Sequence, residues 1–258
     1  MEHPPLPRGT VVLPGTNIEG AWTRFYPFEA LHHLHSICNP MSSEDLDRLV
    51  DVLDPRDGDQ ALDLACGHGE LLRRLSRRAA IGGTGVDLSP WALRRATTHS
   101  TAIAWWLGDA AEVPEVPDWE IVTCLGASWI WDGFAGTVSS LAARATSGGR
   151  IAIGDLRLAT PHAREALGNA PEAASPTEDE QLATLRSIGL QPVEQIVPDP
   201  QAWKTYHDLV IESAEAYAAR HPEDPAADHR AMARAWMHND YERLRAHLAW
   251  TVWVARTP

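Results

Sequence analysis

The sequence predicts an α/β protein: a doubly wound, mostly parallel seven-stranded sheet with helices on both faces. A helical cap precedes the sheet, and a helical lid is inserted before its last strand. Three observations carry this reading. Short apolar runs alternate with helical periods from residue 60 onward, which is the pattern of β-α-β units and a parallel sheet. The first of these runs ends in Gly67-His68-Gly69 and opens directly into a helix. About fifty residues of helical period, 199–248, then stand before a closing alternating run.

Taken in order, residues 1 to about 20 contain four prolines and three glycines and read as an irregular arm. From Phe25 to Leu53 apolar residues recur at helical spacing, interrupted at Asn39-Pro40-Met41-Ser42. Ser42 can cap the second helix, although its return position holds Asp45 where a capping box prefers Glu or Gln. The strands fall at Gln60–Ala65, Ile81–Val86, Ile103–Leu107, Glu120–Leu125, Arg150–Gly154, Pro192–Val197 and Ala249–Ala255. Pro90 after Ser89 suits the first position of a helix, and Gly148-Gly149 reads as a turn. Between the sixth and seventh strands, Trp203, Tyr206, Val210, Ala214 and Tyr217 share a helix face, and a second helix runs from about Pro225 to Leu248. The resulting segments are a cap at 1–53, a core at 54–198, the lid at 199–248 and a final strand at 249–258.

Composition narrows the function. The chain has 258 residues and a formal net charge of −13, so it lacks the basic face that sequence-independent nucleic-acid binding requires. Its apolar runs are too short to span a bilayer, and its start lacks the features of a secretory signal. Three widely spaced cysteines argue for a reducing, cytoplasmic setting and against a disulfide framework or a structural zinc site. His32, His33 and His35 have no accompanying carboxylate cluster, so no metal is expected. A monomer or homodimer without nucleic-acid or membrane partners fits these limits.

The chemistry gathers where a strand ends in Gly-x-Gly, because backbone without Cβ atoms can approach a ligand at the carboxyl edge of the sheet. A dinucleotide fingerprint needs a third glycine three residues on, and Leu72 stands there instead. An ionised Asp87 at the second strand's end offers two acceptor oxygens to a ligand at that edge.

Asp63-Leu64-Ala65-Cys66-Gly67-His68-Gly69 resembles the first motif of the class I, Rossmann-like S-adenosylmethionine-dependent methyltransferases, with Ala65 where glycine is commoner. Val86-Asp87-Leu88-Ser89 and Gly108-Asp109-Ala110 resemble their next two motifs. Cys124-Leu125-Gly126-Ala127-Ser128 and Ser147-Gly148-Gly149-Arg150 stand where the family's fourth and fifth strands call for them. The resemblance covers about residues 45–155 and implies S-adenosylmethionine as cofactor, with S-adenosylhomocysteine as product. On it, Asp63, Ala65, Cys66, Gly67, Gly69, Asp87, Asp109, Ala110, Leu125 and Gly126 contact the cofactor, and Leu88 and Trp91 flank adenine. His35-Ser36-Ile37-Cys38-Asn39-Pro40-Met41-Ser42 also resembles a cap segment of some small-molecule methyltransferases.

Methyl transfer needs alignment, exclusion of water and, for a protonated acceptor, a base. Asp155, at the end of the fifth strand, is the first candidate base, followed by His35 and Tyr26. Trp129, Trp131, Trp203 and Tyr206 are candidates to wall the acceptor pocket, or to form the seam on which the lid packs. Two other readings stay open: a nicotinamide-dependent oxidoreductase, and a protein that binds the cofactor without methylating.

Overall fold

A computed structural model describes residues 3–97, 103–222 and 229–258. Eight strands form one sheet in the order β1-β4-β3-β2-β5-β6-β8-β7. The strands are β1 (Val11–Val12), β2 (Gln60–Leu64), β3 (Gly82–Asp87), β4 (Ile103–Leu107), β5 (Trp119–Leu125), β6 (Ala145–Leu158), β7 (Gln191–Ile196) and β8 (Leu248–Arg256). The first six are parallel to their neighbours, and β8 runs antiparallel between β6 and β7. Seven strands match those expected. The eighth is Val11–Val12, which the arm lays along β4. Two β-branched residues suffice there, because β4 otherwise presents an unpaired edge.

The sheet is buried on both faces, as crossover helices demand. On one face, Leu46, Leu49 and Leu53 of α2 (Ser43–Leu53) and Leu72 and Leu75 of α3 (Glu70–Arg78) form a core with Trp250, Val252 and Val254. On the other, Val138 and Leu141 of α5 (Phe134–Arg144) and Leu185 of α7 (Glu178–Ser187) meet Leu62, Leu64, Val122 and Trp253. Alternation along β8 therefore divides two apolar sets between two cores, rather than core from solvent.

Three local readings differ from the sequence expectation. Helix α1 spans Ile18–His32, starting well before Phe25, because the Asn17 side chain accepts from the Gly20 N–H at 2.9 Å and caps it. The turn at Gly148-Gly149 lies inside β6, in a bulge between the pairs Trp119↔Ala145 and Ile121↔Arg150. The box at Ser42 is complete: Asp45 Oδ2 accepts from the Ser42 N–H at 2.9 Å, and Ser42 Oγ accepts from the Asp45 N–H at 3.0 Å. Ser42→Ala is thus expected to cost about 1 kcal/mol, read as a lower urea midpoint at unchanged slope.

The lid leaves the sheet as α8 (Pro200–Arg220), and α9 (His229–Trp236) follows it. A π-helical turn, Met237–Glu242, replaces the end of the long helix expected to Leu248; the expected start at residues 225–228 lies outside the described residues. Val210 and Ala214 of α8 and Ala233 of α9 close on Leu31 of α1. Trp203 meets Leu158, Leu244 and Leu248. The helix expected as a cap, α1, and the two expected as a lid, α8 and α9, thus pack against one another. Among the described residues no helix is long and apolar enough to cross a membrane.

Candidate functional site

The loop after β2 takes three left-handed residues within five: Ala65 at φ 60°, Gly67 at 52° and Gly69 at 72°. Ala65 holds a conformation that favours glycine, at a cost of about 1 kcal/mol that the surrounding bonds must offset. Gly69 has no alternative, because a Cβ there would stand 2.3 Å from the Trp105 ring. Its position begins α3, whose Leu72 is fully buried against the sheet where a dinucleotide site would need glycine.

Asp87 bolts this loop to the next one. Its Oδ2 accepts from the Gly67 N–H at 2.8 Å, and its Oδ1 accepts from the Ser89 N–H at 2.8 Å. Burial raises the carboxyl's pKa above the ordinary range even though both N–H groups favour the charged form. Beneath it, Asp63 is buried and accepts from Thr123 Oγ1 at 2.7 Å. Desolvation pushes Asp63 up to about 7, so one proton there is exchangeable near neutrality.

The irregular segment after α1 crosses this loop from above. His68 Nδ1 donates to the His35 carbonyl at 2.8 Å, and Cys38 rests on Gly67. The Cys38 thiol is pushed up to about 12 and that of Cys66 also rises, both through burial, so neither is a thiolate nucleophile.

Between loop, cap and strand ends lies a cavity of about 280 Å³. The cofactor candidates Asp63, Ala65, Cys66, Gly67 and Gly69 form one part of its wall. Asp87, Leu88, Ala110, Leu125 and Gly126 form another. One continuous space thus joins the ends of β2, β3 and β5, which is where an open parallel sheet gathers its ligand.

Residues 61–149 match the family model of a methyltransferase domain. The chain is 31% identical over 208 residues to the uncharacterized protein YjhP of Escherichia coli, covering 76% of this chain and 84% of that one. A S-adenosylmethionine-dependent methyltransferase of Thiobacillus denitrificans, solved with S-adenosyl-L-homocysteine, is 30% identical with a TM-score of 0.75, over 90% of this chain and 98% of that one. The Geobacter sulfurreducens methyltransferase, solved with the same compound, reaches a TM-score of 0.78 at 27% identity over the same shares. The chain belongs to the class I S-adenosylmethionine-dependent methyltransferases.

In this methyltransferase the remaining candidates are dispersed. Asp109 caps the turn 110–112 through the Ala111 N–H at 2.9 Å and borders an adjoining cavity that shares Leu88 and Phe25 with the first. Trp91 stands outside the cavity: its Nε1 donates to the Trp22 carbonyl at 2.9 Å, and its ring meets Trp22 and Tyr26, fastening α1 to α4 (Pro90–Ala96). Trp129 lines the cavity and Trp131 packs into the core beside α5. Trp203 lies in the seam between lid and sheet.

Two of the three base candidates serve the junction of cap and lid. Tyr26 and Tyr217 share a hydroxyl contact, and His35 Nε2 donates to the Tyr206 carbonyl at 3.0 Å. Tyr206 also bonds through its hydroxyl to His32 Nε2 at 2.8 Å. His32 Nδ1 faces the Phe28 carbonyl, which assigns the proton to Nδ1 and makes Nε2 the acceptor. Asp155 is not among the residues that line the cavity; burial raises its pKa, and the Ser128 hydroxyl and the Leu156 N–H donate to it.

Sequence reasoning missed Phe25, Phe28, Ile37, Asn39 and His68 as wall residues. The x of Gly-x-Gly and the interrupted stretch at Asn39 were visible signals. The aromatic pair on α1 had none, because nothing local says which face of a cap helix meets the sheet.

Proposed function

We propose that the protein transfers the methyl group of S-adenosylmethionine to a nucleophilic nitrogen, oxygen or sulfur of a small molecule by in-line displacement. The observation that supports this best is the pairing of Asp87 with the Gly67 loop on one wall of a single cavity. When bound, the cofactor supplies a sulfonium-activated methyl carbon: the acceptor's lone pair bonds to it as the carbon–sulfur pair withdraws to sulfur. Asp87 would take the ribose hydroxyls on its remaining lone pairs, and Leu88 and Ala110 would bracket adenine. The loop 65–69 and Asp63 would hold the methionine end, with Leu125 and Gly126 behind it. Phe25 and Phe28 of the cap keep water from the reacting atoms. For an acceptor that arrives protonated, Asp155 would be the base.

Calorimetric titration with S-adenosylhomocysteine and with NAD tests the cofactor, and a radiolabelled methyl group tests turnover. Binding of S-adenosylhomocysteine without NAD is expected. Binding of NAD alone would restore the oxidoreductase reading, and tight cofactor binding with no transfer to any acceptor would favour a non-methylating binder.

A further inference from the structure

The inference here concerns the acceptor and rests on the cofactor reading above. Beside the polar side chains of Ser36, Asn39, Asp63, Glu70, Asp87 and Ser89, the cavity wall carries an apolar stretch: Phe25 and Phe28, Ile37, Ala127 and Ile130, with Trp129 beside them. Trp129 is 60% exposed, a large ring left mostly open to solvent. Among the described residues no lysine or arginine lines the cavity, and its ionisable acids are Asp63, Glu70 and Asp87. Glu70 is already paired with Arg73, Arg74 and Arg77 along α3. The floor carboxylates offset the cofactor's positive charge, so no cation is left over for an anionic acceptor.

Two wall residues carry buried polar atoms without a partner: Asn39 Oδ1 and His68 Nε2. With Nδ1 donating to the His35 carbonyl, His68 Nε2 carries a lone pair. Desolvation lowers the imidazole to about 4, which keeps it neutral. Both orphaned atoms are therefore acceptors. A buried acceptor calls for a donor from the ligand, and a site so built discriminates strongly against molecules that lack one.

We infer that the methyl acceptor is an uncharged aromatic small molecule bearing an N–H or O–H donor, seated against Trp129 and held by Asn39. Acceptors carrying phosphate or carboxylate are refused, because the wall offers such an anion carboxylates and no cation. A hydroxyl or amine on the ring meets Asn39 Oδ1, which fixes which edge of the ring turns inward.

Three probes of one ring system test this on protein saturated with S-adenosylhomocysteine: 2-naphthol, 2-naphthoate and 2-naphthyl phosphate, followed by calorimetry. The neutral probe is expected to bind at least tenfold more tightly than either anion. Asn39→Leu, close in size, should lower 2-naphthol affinity tenfold or more. Trp129→Ala, at an exposed position that carries little of the fold, should lower it as well. Equal or tighter binding of either anion would overturn the inference, as would no binding of 2-naphthol or an affinity unchanged in both variants. Failure to bind S-adenosylhomocysteine is a separate result, which overturns the cofactor reading and this inference with it.

Discussion

Asp87→Ala is expected to weaken S-adenosylhomocysteine binding by about 1.5–3 kcal/mol, roughly ten- to a hundredfold, the range for hydrogen bonds to a charged group. Two losses combine in that figure. The ribose hydroxyls lose their acceptor, and the Gly67 and Ser89 N–H groups, each 2.8 Å from a carboxylate oxygen, lose theirs. The loop at Ala65–Gly69 already holds strained backbone, so an unpaired Gly67 N–H will let it relax away from the cofactor position. Asp87→Asn separates the contributions. An amide keeps the shape but offers one acceptor oxygen, so one of the two N–H groups must face an NH₂. The Asn variant should therefore also lose at least tenfold in affinity despite its conservative volume. Gly67→Val should abolish measurable binding, since a β-branched residue resists φ near 52°. Calorimetry beside a thermal melt reads both quantities. Unchanged affinity in a folded Asp87→Ala protein would remove Asp87 from the ribose site.

The sheet was legible because a parallel strand buried on both faces writes itself as an uninterrupted apolar run, and Gly-x-Gly marks where the first one ends. The glycine turn was legible for the same local reason. The edge strand Val11–Val12 was not, since two residues between Gly9 and Gly15 carry no periodicity and pair only because β4 needs a neighbour. Trp91 illustrates the other kind of limit. Its position on α4 fits a residue flanking adenine, yet Trp22 and Tyr26 approach from α1 and take the indole into a helix–helix seam. That outcome depends on how α1 lies across the sheet, which is a tertiary fact. Phe25 and Phe28 line the cavity through the same placement. Asn39 and His68 lie in irregular backbone, where the motif marks the place but no period says which way a side chain faces.

Mild acid is expected to loosen cap and lid while leaving the sheet intact. The junction is held by neutral imidazoles: His32, fully buried, on Tyr206; His35 on the Tyr206 carbonyl; and His207, buried on the same helix. Desolvation lowers all three below 6.5, His207 to about 4, and each histidine's proximity to the others adds to the effect for His32 and His207. His33 is lowered likewise, chiefly by burial and further by Arg220, whereas Asp208 works in the opposite direction on His207. The sign follows from proton counts. At pH 7.5 packed and opened states both hold neutral imidazoles, so nothing is lost. Below 6.5 the opened segment takes protons that the packed one refuses, and its stability falls until the folded pKa is reached. His68, which ties the cofactor loop to the His35 carbonyl, titrates at about 4, and at pH 5 that one group costs about 2 kcal/mol. Asp63 has the opposite sign. Raised to about 7, it keeps a proton that the unfolded chain releases above 3.8, so its share of stability grows as pH falls from 7. It lies in β2 at the centre of the sheet, away from the lid. Hydrogen exchange, corrected for intrinsic rates, should therefore show α8 opening at least tenfold more readily at pH 5 than at pH 7.5, with β2 and β5 protected at least as well at pH 5 as at pH 7.5. Equal protection of α8 at both pH values would show that these histidines do not hold the lid, and earlier loss from β2 would place the acid-sensitive point in the sheet instead.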